Sequence, residues 1–188
     1  MRLRRPLVCA LLLGLCALSA AAQDQANIVI TGTSKFNLAV PLFPASGVAQ
    51  NLQDTFNQVL WNDLYQSAVV TMVGRSLYTA AAPAGEGDLG NPAYRQQWSA
   101  PPLNIQRLVF GDLGMAGGGL VVSGYLYDVT QPPGAGRLLA RRYANPATVE
   151  GARQIAHHFA DDIVAALGFG PGIASSQIAF ISNRSGSQ

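Results

Sequence analysis

The fold turns on "RLVFGDLGMAGGGLVVSGYLYDVTQPPGAGRLLARRY", Arg107 to Tyr143. "RLVFGDL" (107–113) and "GLVVSGYLYDV" (119–129) are rich in β-branched and aromatic residues and are joined by the turn-forming "GMAGGG". "GRLLARRY" (136–143) follows a second turn signal, "QPPGAG". Three such runs in succession, each closed by Gly- or Pro-rich turns, predict an antiparallel meander.

Downstream of the meander the period changes. Asn145 and Pro146 suggest an N-cap and first turn. Ala152, Ile155, Ala156, Phe159, Ile163, Ala166 and Leu167 then fall on one helical face, and Gly168 suits the C-terminal stop. "GFGPG" (168–172) is a short linker, and "QIAFIS" (177–182) is a final strand running into the turn "NRSG".

Upstream, "NIVITGT" (27–33) and "FNLAVPLF" (36–43) read as strands, the second limited by Pro41. Ser46 and Gly47 are expected to open a helix whose stripe is Leu52, Phe56, Val59, Leu60 and Leu64. "AVVTMV" (68–73) is a buried-type strand, 79–90 a loop too polar and flexible to pack, and 92–99 a short helix carrying Trp98 inward. The expected fold is α/β: a mixed sheet of five to six strands with two main helices packed on it and a C-terminal orphan strand.

The amino terminus, "MRLRRPLVCALLLGLCALSAAAQ", combines three arginines, an apolar run from Leu7 to Leu18 and small residues at Ala20 and Ala22. This is the pattern of a secretory signal peptide cut near Ala22, before Gln23. The run is too short to span a bilayer, and no small residue precedes Cys9 or Cys16 as a lipoprotein signal requires. Cleavage removes three of the twelve basic residues and leaves nine against ten acidic ones, a formal charge of −1. No basic patch remains for nucleic acid or anionic lipid. Both cysteines lie in the signal, so the exported chain would have neither a disulfide nor a thiol nucleophile. About 166 residues remain, enough for one sizeable core.

Signals for chemistry are few. His157 and His158 lie four residues before Asp161 and Asp162. Such pairs share a helical face, but a metal site needs three or four converging ligands, so helix-stabilising pairs are expected. "GRSLY" at Gly74 lacks the second glycine of a nucleophile elbow. Neither glycine-rich segment has phosphate-cradling spacing or a P-loop lysine. Trp61, Trp98, Phe159 and Tyr127 sit in apolar-periodic segments and read as packing residues. Asn183-Arg184-Ser185 matches a glycosylation sequon, a weak signal. The expectation is no catalytic residue, no metal and no cofactor.

"YRQQWSAPPLNIQRLVFGDL" (94–113), "LVVSGYLYDV" (120–129), "RLLARRY" (137–143) and "ARQIAHHFADDIVAALGFGPGIASSQIAFIS" (152–182) together resemble the amino-terminal domain of the TolB family, the periplasmic component of the Gram-negative Tol–Pal system. The resemblance runs from about Gln25 to Ser187, and "AHHFADDI", "GPGI" and "IAFISNRSG" are its most specific parts. It departs at Leu167–Gly170, where the family's "LTG" reads "LGFG", and at Ala174, where the family has Phe. The resemblance implies three segments: 1–22 as signal peptide, 23–172 as the α/β domain, and 173–188 as linker and first strand of a β-propeller missing from this chain. It implies a periplasmic, non-enzymatic protein serving outer-membrane integrity, cell division and protein import.

It also implies that a segment just after the signal docks a TolA-like inner-membrane protein. A Pal-like lipoprotein would be a partner only where a propeller is present. The matching docking residues are Gln25, Ala26, Asn27, Ile28, Val29, Ile30 and Thr31. A short strand-forming run near a terminus can add to an exposed sheet edge, or it can be the first strand of the domain's own sheet. No nucleic-acid partner and no membrane insertion are expected. Two other readings stay open: an accessory domain of an exported propeller hydrolase, and an envelope-ligand binding module with a pocket lined by Trp61 or Trp98.

Overall fold

The computed structural model describes residues 35–176. Gln25 to Thr31, the strand expected over 27–33 and the terminal strand over 177–182 lie outside these residues. Five strands and three α-helices follow in order: β1 (Phe36–Ala39), α1 (Gln50–Gln66), β2 (Val70–Met72), α2 (Pro92–Ser99), β3 (Arg107–Ala116), β4 (Gly119–Asp128), β5 (Arg137–Pro146) and α3 (Val149–Ala166). The sheet order is β2-β1-β3-β4-β5. β1 pairs parallel with β2 and with β3, and β3, β4 and β5 form the expected antiparallel meander. The mixed α/β sheet with helices packed on it is therefore present.

Strand alternation divides the interior into two layers. Val109 and Leu113 of β3 with Leu120, Val122 and Leu126 of β4 face α1 and α3. Phe56, Leu60 and Leu64 of α1 and Ile155, Phe159 and Ile163 of α3 complete that layer, all buried. Leu108 and Phe110 of β3 with Tyr127 of β4 point the other way, against Trp98 of α2 and Leu103. Trp98 is wholly buried, as its position in the short helix predicts. Gly124 makes the main layer possible: a Cβ there would stand 2.4 Å from Cζ of Phe159, so the ring lies directly on the strand backbone. Phe159 is flanked by the rings of Tyr143 at 5.5 Å and Phe43 at 6.1 Å.

Four local expectations are corrected. The helix expected from Ser46 begins at Gln50: Gly47 stands at φ +67°, outside the right-handed helical region, and Ser46 is bonded instead to the carbonyl of Leu113 on β3. The strand expected to reach Phe43 ends at Ala39. Beyond it, Pro41 and Pro44 supply no ladder donors, and the N–H of Val40 goes to the Tyr78 hydroxyl at 2.9 Å. Asn145 and Pro146 are not the cap of the last helix: both finish β5, and Thr148 caps α3 by accepting from the N–H of Gly151 at 3.0 Å. The 79–90 loop packs after all. A 3₁₀ turn over Glu86–Gly90 buries Leu89, and Glu86 meets the Tyr127 hydroxyl at 2.8 Å and Arg137 at 3.3 Å.

The end of α3 follows the sequence reading. Gly168 adopts φ +87°, a conformation that costs glycine little. Its N–H bonds the Ala165 carbonyl and the N–H of Phe169 bonds that of Val164, the Schellman pattern that satisfies the last helical carbonyls.

Candidate functional site

Three places bring polar chemistry together, and two of them adjoin the ends of the described chain. At the start of β1, the Phe36 ring lies 4.2 Å from the Arg107 guanidinium. Arg107 bridges Asp128 at 2.8 Å, with both side chains nearly buried. Asp128 also accepts from the N–H and hydroxyl of Thr130. A buried pair with its remaining lone pairs occupied is costly to break from one side. It pins together the adjacent ends of β1, β3 and β4, where the polypeptide before Lys35 joins the sheet. Gln25, Ala26, Asn27, Ile28, Val29, Ile30 and Thr31 belong to that preceding polypeptide, outside the described residues.

At the other end, the linker after α3 folds back onto its own helix. Asp161 accepts the N–H of Ala174 at 2.7 Å and the N–H of Ser175 at 2.9 Å, and takes the Ser175 hydroxyl as well. The linker backbone comes so close that a Cβ on Gly172 would sit 2.1 Å from Oδ1 of Asp161. Beneath the linker is a cavity of about 450 Å³, bordered by Asp63, Val69, Val164, Phe169 and Ile173. Ile173 is 80% exposed.

The expected His–Asp pairs within the last helix do not form. His157 Nδ1 lies 2.6 Å from Asp63 on α1, so the contact ties the two helices together. His158 is exposed. Asp161 is occupied by the linker, and Asp162 accepts from the Tyr143 hydroxyl of β5 at 2.7 Å. Burial pushes the Asp63 carboxyl up, and its hydrogen bond to His157 partly offsets this. Burial and the adjacent Asp162 carboxylate push the Tyr143 phenol strongly up. Among the described residues no group of three or more His, Cys, Asp or Glu side chains could hold a metal, and no helix is long and apolar enough to cross a membrane.

The third place is a cleft of about 250 Å³ where the loops after β1 and β2 meet α1, bordered by Leu42, Trp61 and Arg75. The Arg75 guanidinium stands 4.4 Å over the Trp61 ring. It donates from Nε to the Val40 carbonyl at 2.9 Å and from Nη2 to that of Asn57 at 3.4 Å. Asn57, buried in the middle of α1, accepts from the N–H of Phe43 at 2.8 Å and donates to the Phe43 carbonyl. The sequence marks Trp61 as a packing residue or, in the alternative reading, as a pocket wall, and it does not single out Arg75 or Asn57. The available signals were an asparagine inside an apolar helical stripe and an arginine directly after a short strand.

No protein-family model matches the chain. The Tol-Pal system protein TolB of Geobacter metallireducens is 28% identical over 180 residues, covering 93% of this chain and 39% of that protein. The crystal structure of TolB from Acinetobacter baumannii matches with a TM-score of 0.54 at 24% identity, over 76% of this chain and 31% of that one. A PelC dodecamer structure from Paraburkholderia phytofirmans aligns with a TM-score of 0.40 at 13% identity, a likeness too slight to argue from. The chain spans about two fifths of the length of the curated relative it matches. In sequence and in fold it is a TolB amino-terminal-domain-like chain.

Proposed function

We propose that this chain is a periplasmic, non-enzymatic interaction domain associated with a Tol–Pal system. Its sequence match to a TolB protein over nearly its whole length carries this reading. In this reading residues 1–22 are a signal peptide, 23–172 the interaction domain, and 173–188 the linker and opening strand of a propeller. Residues Gln25 to Thr31 dock a TolA-like inner-membrane protein, and a Pal-like lipoprotein binds only where a propeller follows. The apolar run Ile28-Val29-Ile30 supports the reading, because such a run can add to a partner's sheet edge through backbone hydrogen bonds.

The test is capture of the carboxy-terminal domain of a TolA-like protein by the exported chain, with and without Gln23 to Thr33. Loss of capture with an unchanged circular dichroism spectrum is expected. Undiminished capture would remove the docking role, and a collapsed spectrum would make the segment a structural strand instead.

A further inference from the structure

We propose that the cleft formed by Leu42, Trp61 and Arg75 is a second binding site, one that takes the carboxy-terminal residue of a polypeptide ending in an apolar side chain. Its evidence is independent of the Tol–Pal reading.

The topology places the cleft first. β1 lies inside the sheet, with parallel neighbours on both sides. The connection from β1 to β2 runs through α1 on one face of the sheet, and the connection from β2 to β3 runs through α2 on the other. The carboxyl end of β1 is therefore a switch point, where chains diverge to opposite faces and leave a crevice. The loops bordering the cleft leave from there: Leu42 follows β1 and Arg75 follows β2.

The chemistry of the occupant follows from Arg75. Its guanidinium is held in one orientation by two backbone carbonyls and by the Trp61 ring. Those bonds engage two of its five N–H donors. The other three have no partner among the described residues, and Arg75 belongs to none of the ion pairs found there. A planar fork of unengaged donors, pre-oriented and half-buried, matches the geometry of a carboxylate or a phosphate, and the apolar wall beside it favours the carboxylate of an apolar residue. Leu42, 58% exposed, supplies that wall. The one acidic side chain on the rim, Asp54, accepts from Gln50 at 2.8 Å and makes no ion pair with Arg75. A space of about 250 Å³ holds roughly one residue. In a chain-terminal residue the carboxylate and the apolar side chain leave the same carbon, so both needs are met within that space. A Glu or Asp side chain would bring the carboxylate without the apolar body.

The test uses amide and side-chain NMR of the exported protein titrated with three small probes. N-acetyl-leucine should shift the Arg75 Nε–H and Trp61 indole N–H signals saturably, with Kd on the order of 1 mM, as expected for so small a contact. N-acetyl-leucinamide, which lacks the carboxylate, should shift neither. The α-amide of N-acetyl-glutamate should bind at least fivefold more weakly. Arg75→Lys keeps the charge but loses the fork, and should weaken N-acetyl-leucine at least fivefold. Leu42→Ser, at an exposed position outside the clamp, should weaken it while leaving the spectrum otherwise intact. Absence of saturable shifts with N-acetyl-leucine, or equal shifts with the amide, would reduce Arg75 to a clamp between loop and helix. Equal affinity for the glutamate probe would overturn the chain-end assignment. A chain lacking Gln23 to Thr33 should bind N-acetyl-leucine unchanged, so failure here and failure of the docking segment are separately visible.

Discussion

Gly124→Ala should destabilise the protein, although alanine normally suits a strand better than glycine does. The backbone preference alone favours alanine by about 0.5–1 kcal/mol. Against it, the new methyl would meet three Phe159 ring atoms at 2.4, 2.7 and 2.8 Å. The ring cannot retreat, because Phe159 is fully buried between Phe43 and Tyr143. Overpacking of this kind costs about 1–3 kcal/mol, so the net loss should be roughly 1–2 kcal/mol. For a chain of this size that lowers Tm by about 2–8 °C.

Phe159→Leu removes the ring tip and should cost roughly 1–2 kcal/mol through the small cavity it leaves. In the double variant the alanine methyl occupies that space, so the two losses should overlap. Urea unfolding of the four proteins, with unchanged m-values, gives the cycle. The double variant should be about 1–2 kcal/mol more stable than additivity allows. Additivity within about 0.5 kcal/mol, the behaviour of independent sites, would refute the claim that Phe159 rests on the Gly124 backbone. So would a neutral or stabilising Gly124→Ala.

Other consequences are simpler to read. Thr148→Ala should cost about 1 kcal/mol through the lost cap, while Asn145→Ala, at the end of the preceding strand, should cost less than about 0.5 kcal/mol. Thermal unfolding separates the two, and reversed costs would restore the cap to Asn145. Asp161→Ala should release the linker: limited proteolysis should cut within 171–176 several-fold faster, with a global loss of about 1–2 kcal/mol. Gly172→Ala should mimic the proteolysis result, because its methyl would displace the Asp161 carboxylate.

Alkaline stability should be set in part by Tyr127, whose phenol is pushed up to about 12 by burial first and by Glu86 second. A group with a raised folded pKa contributes fully below its unfolded value, here 10.0, and loses that contribution as pH rises through the folded value. Stability should therefore hold to about pH 10 and fall towards about pH 12. Tyr127→Phe should flatten that fall, and an unchanged slope would count against the assignment.

Much of this protein is legible in local pattern. The meander follows from three β-rich runs separated by "GMAGGG" and "QPPGAG", because strands joined by tight turns have little choice but to pair in succession. The faces of α1 and α3 follow from 3.6-residue periodicity, and the Gly168 stop from its freedom at positive φ. Each of these depends on residues within a few positions of one another.

What failed locally depends on partners far along the chain. Ser46 is a plausible helix opener, but the chain at Ala45 and Ser46 is bridged to Leu113, sixty-seven residues on from Ser46, and is held to the sheet there. His157 stands one turn before Asp161, the spacing of a helical pair, yet it meets Asp63 ninety-four residues away because α1 packs against α3. Asp161 is then left to hold the linker. The same holds for the Arg75 cleft, assembled from loops after two strands and the flank of a helix between them. Period and turn chemistry in the sequence determine which elements exist and which face each one buries. Tertiary structure decides which polar groups meet, because a hydrogen bond is settled by distances under about 3.5 Å, and only packing brings remote residues that close.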